Sequence, residues 1–105
     1  MENTKNYDVK ITVLRKTRVD DIHKSYAKDD VPPVCAKNEE GQEYISKNSS
    51  QPEGFCNGAW KGIADTVSVL ASGGNNPYVR QDGVAIRCCN DGLHPVIYKL
   101  ERIAE

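Results

Sequence analysis

Much that would narrow the reading of this chain is missing from it. No apolar run approaches the roughly 18 residues that a bilayer-spanning helix needs, and the start shows no basic stretch followed by an apolar one of the kind that directs export. The sequence therefore predicts a cytoplasmic protein with no membrane partner. Charge of one sign is absent too. Fourteen Lys and Arg stand against fifteen Asp and Glu, a formal net charge of -1, so no overall field draws the chain to nucleic acid. There is no C-x-x-C pair, no internal repeat and no low-complexity tail. At 105 residues the chain is expected to fold as a single domain spanning 1–105 around one modest core.

What is present is periodicity. In "YDVKITVLRK", Tyr7, Val9, Ile11 and Val13 alternate with polar residues, the signature of a half-buried strand. "TRVDDIHKSYAK" reads as a short helix, with Thr17 able to cap it and Val19, Ile22 and Tyr26 spaced to share a face. The following stretch, rich in Pro, Gly, Ser and Asn, holds one weak strand candidate around Gln42 to Ser46 and is otherwise expected to be loop. "NGAWKGIADTVSVLASGG" is the main helix. Asn57 is its expected N-cap, Trp60, Ile63, Val67, Leu70 and Ala71 form its apolar face, and Gly73-Gly74 stops it. Strands from Gly83 to Cys89 and Val96 to Ile103 then form a hairpin around an Asp-Gly turn. Val84, Ile86 and Cys88 are assigned to one face, and Val96, Tyr98 and Leu100 to the apolar face of the partner strand. The predicted fold class is α+β: a small, largely antiparallel sheet with a C-terminal hairpin, covered by one main helix and one short helix.

Chemistry is concentrated in Cys35, Cys56, Cys88 and Cys89. In a reducing compartment persistent disulfides are rare. Adjacent Cα atoms also lie about 3.8 Å apart, inside the usual lower limit of about 4.4 Å for a bridge, so Cys88 and Cys89 are not expected to pair with each other. Alternation points their side chains to opposite faces, with Cys88 inward beside Val84 and Ile86. Cys56 precedes the main helix, where unpaired amides and the helix dipole favour an anion; it reads equally as a small apolar residue under the loop. Cys35 follows "VPP", whose restricted backbone holds a thiol at small entropic cost, and it reads equally as a gap filler.

"VKITVLR", "PEGFCNGAWKGI" and "CCNDGLHPVIYKLERI" together resemble a family of small, functionally uncharacterised bacterial proteins of about this length. The resemblance covers nearly the whole chain and implies no activity. The family pattern has bulkier residues where this chain has Asn57 and Gly58, and Arg more often than His at position 94. Cys35, Cys56, Cys88 and Cys89 match it; a chemistry shared by the family would not depend on His94.

Three classes of function follow from these residues. The first is thiolate metal binding, of zinc or iron, by Cys35, Cys56, Cys88 and Cys89 with Asp91 and His94 as weaker ligands; thiolates in tetrahedral geometry suit both metals, although the spacing is no recognised metal signature. The second is a non-catalytic binding, interaction or structural module, any small-molecule ligand being unknown, in which Asp91 only makes an Asx turn and the aromatics are ordinary core or rim. The third is thiol redox or cysteine-nucleophile chemistry, pairing Cys56 with another thiol or with His94 or His23. His23 itself reads as a surface or capping side chain. Edge strands make a homodimer an expectation of the fold type rather than of any residue.

Overall fold

Alternation in Asp8–Lys16 and Val96–Ile103 builds the centre of the fold. The computed structural model describes residues 6–103. In chain order these form β1 (Asp8–Lys16), α1 (Asp20–Tyr26), β2 (Glu43–Ser46), α2 (Asn57–Ala71), β3 (Val84–Cys88) and β4 (Val96–Ile103). The four strands make one antiparallel sheet in the order β2-β1-β4-β3, the α+β architecture that the sequence predicts. Ile11 opposes Leu100 and Val13 opposes Tyr98 across the central pair. With Val9 and Val96 they are buried almost completely on the side that α2 covers. The register slips between Val13 and Arg15. This bulge leaves Leu14 unpaired and exposed. Among the described residues no helix is long and apolar enough to cross a membrane.

The main helix buries Ala59, Ile63, Val67, Leu70 and Ala71, a stripe at the three- and four-residue spacing of one helical face. Trp60 lies beside that stripe, half-buried, with its ring edge-on to Phe55 at 6.2 Å. Ala59 takes the inward place that the sequence reading gave to Trp60. Cys56, not Asn57, is the N-cap, and no side chain caps the first turn. Asn57 instead accepts a hydrogen bond from Gln51 Nε2 at 2.7 Å.

The far end of α2 is closed firmly. Gly73 takes φ +96°, the amide of Gly74 donates to Val69 O at 2.8 Å and that of Gly73 to Leu70 O at 3.1 Å, which is a Schellman termination. Arg102 of β4 adds to it. Its Nη1 donates to Leu70 O at 3.1 Å and to Gly74 O at 2.6 Å, and its Nη2 to Asn75 Oδ1 at 3.1 Å. Its guanidinium also lies 5.7 Å from the centre of the Tyr7 ring. The charges of "KLERIAE" read from sequence as a solvated strand end; Arg102 is instead the side chain that ties the helix terminus to the sheet.

Two face assignments change. In α1 no residue is buried, and Ile22 and Tyr26 are 45% and 80% exposed. Thr17 does not cap this helix: its Oγ1 donates to Pro95 O at 2.8 Å and its amide joins the same carbonyl at 2.9 Å, extending the β1–β4 ladder. His23 holds the helix to the next loop through Nε2, 2.7 Å from Val31 O. In β3 the buried partner of Leu100 is Ala85, whereas Ile86 and Cys88 lie opposite Lys99 and Ile97, exposed on the open face of the sheet. A Cβ on Gly62 of α2 would stand 2.9 Å from Cys88 O, so the helix and the end of this strand touch.

Leu70 is fully buried and its carbonyl anchors Arg102. Leu70→Ala is expected to lower unfolding free energy by about 2–5 kcal/mol, read from urea denaturation; a loss below about 0.5 kcal/mol would mean that this helical face does not carry the core.

Candidate functional site

A cavity of about 410 Å³ with mostly apolar walls opens between three parts of the chain. The loop before β2 supplies Cys35, Lys37 and Asn38; the start of α2 supplies Cys56, Gly58 and Ala59; and the β3–β4 connection supplies Cys89, Asp91 and His94, with Val96 and Tyr98 of β4 behind them. Three of the four cysteines therefore face one space from distant positions in the sequence. All four are free thiols.

Cys88 is the one left out. It lies on the open face with Ile86 and Ile97, and Cys89 takes the inward position, packed against the core. This reverses the sequence assignment of the two, because Ala85 rather than Ile86 faces the helix and every later residue of the strand turns with it. Cys89 keeps up the pairing beyond β3: its amide donates to Val96 O at 3.1 Å and its Sγ accepts the amide of Val96 at 3.3 Å. Partial burial and the adjacent Cys89 thiol push the Cys88 thiol up from its ordinary value.

Cys56 reaches the cavity because it is the N-cap of α2. A Cβ on Gly58 would meet only Cys56 Sγ, at 4.0 Å, so this side of the cavity stays open for lack of a side chain. Asp91 makes an Asx turn, its Oδ1 accepting the amide of Leu93 at 2.9 Å. Its Oδ2 lies 3.2 Å from His94 Nδ1, yet Nδ1 is enclosed without an aligned hydrogen bond. The two attract as an ion pair when the imidazole is protonated. Among the described residues no three His, Cys, Asp or Glu side chains are grouped so as to hold a metal ion.

Two site residues had no functional signal in the sequence. Tyr98 was assigned correctly to the apolar face of β4, but nothing in the alternation shows where its hydroxyl lies. Asn38 belongs to an aperiodic loop, yet it is only 3% exposed. Asn38 Nδ2 donates to Tyr98 Oη at 3.0 Å, and Tyr44 Oη donates to Asn38 Oδ1 at 3.1 Å. Burial raises the Tyr98 phenol well above its ordinary range, and the thiols of Cys89, Cys56 and Cys35 raise it further.

Comparison with family models, curated proteins and solved structures found no match to the chain. Geometry and chemistry are thus what bear on function.

Two outcomes follow from this geometry. In Gly62→Ala the new Cβ would stand 2.8 Å from Asn90 Oδ1 and 2.9 Å from Cys88 O, so the helix start must move away from the strand end. The expected cost is about 1–3 kcal/mol, with faster alkylation of Cys89 by iodoacetamide, followed by peptide mass spectrometry; unchanged stability would show that the close approach is not required. Because the folded state holds the Tyr98 proton more tightly than the unfolded chain does, Tyr98 contributes stability that is fully present below about pH 10, the ordinary tyrosine value, and lost as pH rises further. Near-ultraviolet titration should find that one of the five tyrosines ionises only with unfolding, and Tyr98→Phe should remove that component.

Proposed function

We propose that the protein is a binding module, that the thiol-lined cavity is its working site, and that its ligand is a small, largely apolar molecule. The cavity itself carries this reading. Its volume of about 410 Å³ falls within the roughly 300–1,000 Å³ usual for small-molecule sites, and apolar walls with a few converging polar groups are the usual composition of such sites. The thiols of Cys35, Cys56 and Cys89 supply soft, polarisable wall atoms. They stay reduced in a cytoplasmic setting, which is where we place the protein.

A second reading, thiolate coordination of zinc or iron, is favoured by one observation: three sulfurs and the enclosed His94 Nδ1 belong to the same cavity. Thiolate and imidazole are the donor chemistry of structural zinc. These donors are not grouped around a point, so an ion would have to draw the Cys35 loop and the Cys89–His94 turn inward. Cys88, on the other face of the sheet, is not a member of this set.

One preparation separates the two. Protein purified without oxygen and without a metal-binding tag is analysed for metals and then titrated with cyclohexanone, followed by NMR. The expected result is metal well below one ion per chain and saturable binding, with a Kd of about 1 mM given so small a ligand, perturbing the amides of residues 35–38, 56–59 and 89–98. Gly58→Leu, which fills open space beside Cys56, should abolish that binding and leave the fold intact. Stoichiometric zinc or iron that is lost in Cys35→Ala would overturn the first reading in favour of the second.

A further inference from the structure

Tyr98 is 1% exposed, and its hydroxyl ends a short chain of hydrogen bonds. Tyr44 Oη donates to Asn38 Oδ1, and Asn38 Nδ2 donates to Tyr98 Oη. The oxygen of Tyr98 is therefore an acceptor in this chain, and its own proton must go elsewhere. Among the described residues Tyr98 Oη donates no hydrogen bond to an oxygen, nitrogen or sulfur. A buried donor left without a partner is costly, and such groups are usually met by a ligand or an ordered water. Tyr98 lines the cavity together with Cys35, Cys56 and Cys89, and the thiols of these three act on its phenol.

We propose that Tyr98 directs its hydroxyl proton into the cavity, and that the ligand carries an oxygen acceptor, a carbonyl or a carboxylate, placed to receive it. The inference rests on the reading of the cavity as a small-molecule site and adds the ligand's chemical class. Burial keeps the phenol protonated across the neutral range, so the donor is present whenever the protein is folded. The ligand class that results is a compact hydrocarbon body with one oxygen acceptor. The body meets thiols, Ala59 and Val96, and the oxygen meets the phenol. A site built around one fixed donor discriminates strongly against an isostere that lacks the acceptor, because the donor then stays unpaired.

The test compares three probes of similar shape on the full chain by NMR titration: cyclohexanone, cyclohexanecarboxylate and methylenecyclohexane, which has no acceptor. The expected result is that at least one oxygen-bearing probe binds about tenfold or more tightly than methylenecyclohexane, the preferred probe distinguishing a carbonyl from a carboxylate ligand. In Tyr98→Phe that ratio should fall to near one while methylenecyclohexane keeps its affinity. Equal affinity of all three probes for the unaltered protein, a comparison that needs no variant to fold, would overturn the proposal and leave the cavity reading standing. So would an unchanged ratio in Tyr98→Phe. If none of the probes binds, or if Gly58→Leu leaves their binding intact, the cavity reading falls and this inference falls with it.

Discussion

Contact between the backbone of α2 and the end of β3 sets most of this structure. At Gly62 the helix comes so near to Cys88 O and to Asn90 that a single added methyl group has no room. Ala85, earlier in the same strand, is fully buried. From Ala85 the alternation of the strand runs on to Cys89, which faces inward, and leaves Cys88 outside. The same contact sets the N-terminal end of α2, and with it Cys56, beside the β3–β4 turn. The cavity is thus a product of helix–strand proximity, with its thiols brought in by elements that are distant in sequence.

The opposite end of α2 is held by different means. A Schellman termination satisfies the last carbonyls locally, and Arg102 reaches across from β4 to Leu70 O, Gly74 O and Asn75. Hydrogen bonds from a charged donor to carbonyls are among the stronger ones in proteins. The helix is therefore fixed to the sheet by shape at the cavity end and by polar bonds at the other. The first turn at Cys56, which no side chain caps, lies at the end that opens on the cavity.

Within the cavity the polar groups are few and mutually constrained. Tyr44, Asn38 and Tyr98 form a chain with a single direction, and Asp91 is spent in part on the Leu93 amide. Apolar walls make each remaining polar group count, since a buried donor left unpaired is costly. The open face of the sheet is chemically different, with Lys10 between Glu43 and Glu101 at 3.8 and 3.9 Å; such exposed pairs contribute little to stability.

The sequence by itself determined the strands, the main helix and the sheet class, because period-2 alternation in Val9, Ile11 and Val13 and helical spacing in Ile63, Val67 and Leu70 are local signals that the burial follows. It also marked Cys35, Cys56, Cys88 and Cys89 as residues of one chemical kind. Only the tertiary structure decided the facing of β3: hydrophobicity favoured Val84 and Ile86, yet Val84 and Ala85 are buried and Ile86 is exposed. It alone separated Cys88 from Cys89, brought Asn38 to Tyr98 across 60 residues, and made Arg102 a helix clamp. These outcomes depend on distances between elements that no local pattern encodes. A bulge, a bare glycine or a buried amide acts through what it meets, and what it meets is settled by packing.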